Sequence, residues 1–356
     1  MSEREEVRTK IREPEALETN YDHTVRNMEI RNKKRAEGRV VIKGKNRPWE
    51  LTRQGKLRNF VSGRTEDDLA APGWVIFQHE IRKHSGMHRH QGGNHIFVLS
   101  GKGYTLVDGA RHDWEAGDLV LLPILPGGVA HQHFNLDPNL PSVWMNVVYG
   151  PLKDPLANWH EQIELSPEWA EKKGIQERKV ASLVNKARAT GQERFARGKT
   201  LFDALLDLRD ARRSEIKTAR CVVRGKSLPL EVNAMGLFRW YIHPLMKDVV
   251  CRMQIIYVQE IPPGSRSGKQ LHQGGRVHYV LEGKGHTVID DVRHDWERED
   301  VILLPPKPYG VVHQHFNADS EKPARLLVVE PNWVDILGAD MGSGFEMVEA
   351  APDYRA

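Results

Sequence analysis

Residues 88–135 read HRHQGGNHIFVLSGKGYTLVDGARHDWEAGDLVLLPILPGGVAHQHFN, and residues 270–317 read QLHQGGRVHYVLEGKGHTVIDDVRHDWEREDVILLPPKPYGVVHQHFN. The two stretches stand at a constant offset of 182 and are identical at 28 of 48 positions, so one unit has been duplicated. The period is too long for a solenoid and two copies are too few, which makes each copy a whole domain. The repeat also reaches upstream. VIKGKNRPWELTRQGKLRNF (41–60) aligns with VVRGKSLPLEVNAMGLFRWY (222–241) at an offset of 181, placing Gly44, Pro48, Gly55 and Arg58 opposite Gly225, Pro229, Gly236 and Arg239. The duplicated unit is about 110 residues, enough for a barrel with its own core.

Inside the repeat, 74–81, 95–99, 103–107 and 119–122 alternate as strands, with turn signals at SGKG, VDGA and EAGD between them. Short strands at this spacing point to an all-β barrel or sandwich. The first barrel is expected to close near Tyr149. The expected organisation is a helical arm over 1–38 (helix from about Thr24 to Arg35), a first β domain over 39–150, a helical connector over 151–215, a second β domain over 216–335 and a tail over 336–356. Within the connector, Ser166 and Pro167 read as a helix start, and 176–189 and 200–213 read as helices.

Hydrophobic residues make up 39% of the 356 positions and charged residues 28%, with a net charge of +4, which describes a soluble chain with a sizeable core. Much of the charge lies in helical-looking segments, and no basic run is interleaved with aromatics, so a nucleic-acid partner is not expected. Two cysteines, Cys221 and Cys251, exclude a disulfide framework and suit a reducing cytosol. No apolar run approaches the roughly 20 residues of a membrane span. The opening MSEREEVRTK is charged where a signal peptide is apolar. The expectation is a cytoplasmic protein with no membrane partner.

Side chains two apart on a strand share a face, so His88 and His90 point together, as do His131 and His133. If both strands line one barrel, three or four imidazoles converge there. Imidazole suits iron, zinc, copper and nickel, and three ligands on one face leave positions open. A lone His-x-His pair is weak evidence; two pairs in one small barrel are much stronger. His112 and His294 recur inside RHDWE and read as a structural corner, His95 faces out of the barrel, and Gly92–Gly93 reads as a bend.

On these motifs the sequence resembles the cupin superfamily. Its first signature has His-x-His, a glutamate and a glycine, matched here by His88, His90 and Gly101. Its second has Pro-x-Gly, two residues, a histidine, and an asparagine four positions on. Pro126, Gly128, His131 and Asn135 match it, and so do Pro308, Gly310, His313 and Asn317. The resemblance implies two tandem double-stranded β-helix (jelly-roll) barrels, a bicupin. The glutamate position holds Asn94 in the first copy and Arg276 in the second. A three-histidine, one-carboxylate shell is typical of oxalate-decarboxylating and germin-type cupins. A neutral shell leaves the full charge on the metal and favours an anionic chelating substrate together with oxygen. Among bicupins of this length the chain is similar to the gentisate 1,2-dioxygenase group of ring-cleaving enzymes. Residue by residue, that resemblance implies metal ligands His88, His90 and His131, Fe(II) before Mn(II), and a small aromatic acid and O2 as substrates. It also implies a homodimer or homotetramer.

His133, on the ligand side of its strand, reads either as a proton-transfer group or as barrel packing. Arg58, Gln91 and Asn94 are candidate substrate-binding residues, with Arg89 a fourth that should point away from the barrel. For the second copy two readings stand. It is a degenerate barrel, because Gln270 replaces one histidine and Arg276 brings a positive charge, or it holds a second metal on His272, His278 and His313. Other metal-dependent cupin chemistry (isomerase, decarboxylase, oxygenase on non-aromatic carbon) and a non-catalytic binding bicupin stay open beside the dioxygenase.

Overall fold

The computed structural model describes residues 19–62, 68–156, 158–176, 197–337 and 346–354. Each half is built from a seven-stranded and a five-stranded sheet. The expected strands form where alternation placed them: Trp74–Ile81, His95–Ser100, Lys102–Val107 and Leu119–Leu121. The strand Ser142–Tyr149 runs antiparallel to Trp74–Ile81 from Ser142↔Ile81 to Tyr149↔Trp74.

The five-stranded sheet of the first half runs in the order His160–Glu164, Met87–His90, Val129–Asn135, Lys102–Val107, Ala110–Glu115. That of the second half contains Lys269–His272, Val311–Asn317 and their neighbours, and ends on Glu346–Glu349. Residues 346–349, read from sequence as tail, are thus an outer strand paired with Lys269–Leu271. The connector likewise contributes the strand His160–Glu164, which pairs with Met87–His90.

Each seven-stranded sheet borrows one strand from the other half. Val41–Ile42 pairs with Val301–Leu303, and Val222–Val223 pairs with Leu119–Leu121. The exchange is pinned twice over. The Asp300 carboxylate accepts from Gly44 N (3.0 Å) and Lys43 Nζ (2.7 Å), and Asp118 accepts from Gly225 N (3.0 Å) and Arg224 (2.8 Å). The large sheets face each other, with Phe60 edge-on to Tyr279 and Phe97 to Tyr241. One buried apolar cluster therefore runs through both halves, from Ile42, Trp74 and Met145 to Phe238, Tyr257 and Leu327. A smaller one, including Ile96, Trp114 and Trp144, fills the first barrel.

The arm helix spans Asn20–Glu37, capped by a Thr19–Asp22 capping box. Ser166 caps Pro167–Lys173 through Trp169 N, as its sequence announced, and Thr200 caps Leu201–Thr218. The expected helix 176–189 lies almost wholly outside the described residues. No described helix is long and apolar enough to cross a membrane.

Candidate metal centre

His88 and His131 are direct cross-strand partners, with Val129 opposite His90 on the same pair. All three imidazoles are buried. Ring centroids lie 5.4 Å apart for His88–His90, 4.1 Å for His88–His131 and 4.7 Å for His90–His131. Their ligand atoms fall within 4.8 Å of one another. The bend that follows His90 needs glycine, because a Cβ on Gly92 would collide with the Pro123 carbonyl, as one on Gly274 would with Pro305.

Each ring is oriented by its Nδ1. His90 Nδ1 faces Gln91 O at 2.7 Å, His131 Nδ1 faces Val129 O at 3.3 Å and His88 Nδ1 faces Gly86 O at 3.4 Å. Donation to a carbonyl places the proton of a neutral imidazole on Nδ1 and leaves the Nε2 lone pair for a ligand. The rings are neutral near pH 7. Burial lowers His88 to about 4 and holds His90 and His131 below the ordinary imidazole range. Three neutral, inward-facing, second-sphere-oriented imidazoles are a donor set that fits a divalent transition metal.

His133 is set differently. Trp114 Nε1 donates to Thr105 Oγ1 (2.9 Å), and Thr105 Oγ1 bonds His133 Nδ1 (2.8 Å). The threonine hydroxyl thus ties the His133 ring to Trp114 and fixes its orientation. The His133 Nε2 is buried and has no hydrogen-bond partner. His133 stands beside the triad, its ring centroid 5.5 Å from that of His131.

The other candidates separate. Asn94 is buried, and its Oδ1 accepts from Lys153 Nζ at 2.8 Å. Arg58 is not brought to the histidines: it bonds Gln78 and Glu299 in a cleft of about 980 Å³ between the halves. Gln91 donates to Leu125 O and braces a loop. Arg89 stands 3.7 Å from Glu161, on neighbouring strands. His95 is buried.

In the second half the ligand set changes. The group able to hold an ion is His278, His313 and His315, not His272, His278 and His313. His272 is withdrawn because its Nε2 lies 2.9 Å from Glu330 and its Nδ1 accepts from Gly274 N. Arg276 donates to the same Glu330 oxygen (2.9 Å) and to Gln270 (2.9 Å), closing a fully buried network. His278 replaces Ile96 of the first copy and makes up the triad. Both triads could hold a metal. The first is the better prepared, because each of its three rings turns Nδ1 to a backbone carbonyl, whereas His315 Nδ1 bonds the Thr287 hydroxyl.

Sequence reasoning missed three residues. Lys153 and His160, whose ring lies 4.9 Å from His90, sit in the connector, outside the repeat. Glu330 lies beyond the strongly repeated block, at a position where the first copy has Val148. The Trp–Thr–His chain was readable, since all three residues recur in both copies. Burial pulls the Lys153 ammonium down to about 8.

Comparison with known proteins places this geometry. The cupin domain family matches residues 77–148 and 257–330. No significant match is found among curated proteins. Among solved structures the chain is similar to a salicylate 1,2-dioxygenase from Pseudaminobacter salicylatoxidans (17% identity, TM-score 0.52, 83% of this chain and 79% of that one). An adduct of that organism's enzyme with gentisate gives 15% identity, TM-score 0.52 and coverage of 84% and 77%. A variant of Bacillus subtilis oxalate decarboxylase gives 13% identity, TM-score 0.56 and coverage of 83% and 77%. At such identities the likeness is one of fold. The chain carries two regions that match the cupin domain, in tandem, on a mostly β fold shared with these structures.

Proposed function

We propose that this protein is a non-haem Fe(II) dioxygenase that cleaves the ring of a hydroxylated aromatic acid, of the gentisate or salicylate kind, with both atoms of O2 entering the product. The observation that carries the reading is the first triad: His88, His90 and His131 with each Nδ1 turned to a backbone carbonyl, and no carboxylate at position 94. Bound there, Fe(II) would supply Lewis acidity and an electron route between substrate and oxygen.

The chain's own residues supply the rest. The triad orients and stays neutral, leaving the site's positive charge for an anionic substrate. His133, buried beside the triad and held by Thr105 at Nδ1, leaves its Nε2 to hydrogen-bond a group bound in the barrel. The gentisate and salicylate in the names of two fold neighbours support an aromatic acid. We also read the protein as a cytoplasmic homo-oligomer. Leu201, Phe202, Leu205 and Leu208 form an exposed apolar stripe on one helix, and the arm helix buries no residue among the described residues.

A decarboxylase is the second reading, favoured by the TM-score of 0.56 to oxalate decarboxylase. Asn94 at the glutamate position weighs against it. Oxygen uptake by the Fe(II)-loaded chain with gentisate, salicylate and hydroxynaphthoates tests the proposal. His131→Ala is expected to lose both bound iron, measured by elemental analysis, and oxygen uptake. Retained turnover in that variant removes the assignment.

A further inference from the structure

In both halves the position that carries glutamate in the cupin signature has been handed to a cation. In the second half the cation is Arg276 itself, and Glu330 neutralises it at 2.9 Å. In the first half Asn94 holds the position, and Lys153 Nζ reaches its Oδ1 at 2.8 Å. Here the neutralising carboxylate is missing. The strand Ser142–Tyr149 aligns with Ala324–Pro331, and Val148 stands where the second half has Glu330.

Lys153 is only 5% exposed, and among the described residues Asn94 is its one hydrogen-bond acceptor, with no carboxylate in ion-pair contact. An ammonium has three donors to satisfy and is costly to bury without a counter-charge. The connector that carries Lys153 continues into the strand His160–Glu164, whose His160 pairs with His90, and Asn94 follows His90 by four residues, so both partners of the contact are tied to the triad's strand. A dication on three neutral imidazoles would add two further positive charges, with Val148 where the second half has its balancing Glu330. The missing negative charge has to arrive with the ligand.

We infer that Lys153 is the anion anchor of the first barrel: it positions a carboxylate of the substrate while the substrate's chelating oxygens face the histidines. This rests on reading the first triad as the metal centre. It makes Lys153 a specificity-determining residue that selects carboxylates over neutral analogues of the same shape.

The test is calorimetric titration, without oxygen, of the full Fe(II)-loaded chain with salicylate, oxalate and the neutral salicylamide. The native protein is expected to bind at least one of the two anions about tenfold or more tighter than salicylamide. Lys153→Met is expected to lose about tenfold or more of that anion affinity while keeping its iron content and melting temperature. Lys153→Arg should recover part of it. A purely structural lysine would instead lower the melting temperature and leave the preference for anions intact. Lys153→Met binding the anion within about threefold of native overturns the inference. So does a native protein that binds no anion or does not discriminate against salicylamide, a result independent of whether any variant folds. Oxalate bound and salicylate refused would keep the anchor and remove the ring-cleaving reading. Salicylate cleaved equally by native and Lys153→Met would do the reverse.

Discussion

The ion pair that closes the second barrel gives the sharpest stability prediction. Arg276 and Glu330 are 0% and 2% exposed and meet at 2.9 Å, with Gln270 and His272 completing the network. Replacing one partner strands a charge in the core. Glu330→Leu leaves the guanidinium buried without its carboxylate, and should cost about 3–5 kcal/mol. Removing both charges avoids that penalty. Arg276→Met/Glu330→Leu should lie within about 1–2 kcal/mol of the native protein, on either side, since a packed apolar pair replaces an expensively desolvated ionic one. The two substitutions are thus strongly non-additive, with a coupling of roughly 2–4 kcal/mol. Urea unfolding of the metal-free chain at pH 7, followed by tryptophan fluorescence, measures each variant. The pH arm has a definite sign. Burial by itself would raise the Glu330 carboxyl, but Arg276 and His272 hold it down at about 2, against an ordinary 4.5. A depressed carboxyl contributes fully above pH 4.5, and its contribution fades as the pH falls toward 2. The reasoning is refuted if Glu330→Leu costs less than about 1 kcal/mol, or if the double variant is as unstable as the single one.

Other outcomes follow from the clasp and the buried rings. Asp300 accepts from the backbone of Gly44 and Glu297, and Asp118 from that of Gly225 and Glu115. Asp118→Ala and Asp300→Ala should each strand two such donors and cost about 2–5 kcal/mol in urea unfolding. The two values should agree within about 1 kcal/mol, because the contacts are related by the repeat; a silent Asp300→Ala would show that the exchanged strands are not held this way. Acid should weaken the fold early. Burial lowers His79 and His95 to about 3 from the ordinary 6.5, so the folded chain binds fewer protons than the unfolded one between those values. Stability is lost as pH falls from 6.5, by on the order of 2 kcal/mol per ring at pH 5. An identical urea midpoint at pH 7 and pH 5 would contradict the neutral burial of these rings.

Much of the architecture was legible in the chain because it depends on local period. Alternation located the strands, Gly92 and Gly274 marked the bends, and counting in twos put His88 with His90 and His131 with His133, while the cupin resemblance picked out His88, His90 and His131. Set against the cupin signature, the sequence also lacked the glutamate, with Asn94 and Arg276 in its place. Partners of buried charges were not legible, since nothing local dictates them. Arg276 looked like a threat to a metal until the fold brought Glu330 to it from 54 positions away. That contact withdraws His272 and passes its place to His315.

By itself, the sequence determined that one β unit occurs twice and that its first copy carries three histidines able to face a common interior, because repeat identity and side-chain alternation are properties of neighbouring residues. Only the tertiary structure decided which half is ionically sealed, that each half lends the other a strand, and that Lys153 comes from the connector to stand beside Asn94. Those outcomes turn on bringing distant segments into a low-dielectric interior, where a single unmatched charge outweighs any local preference.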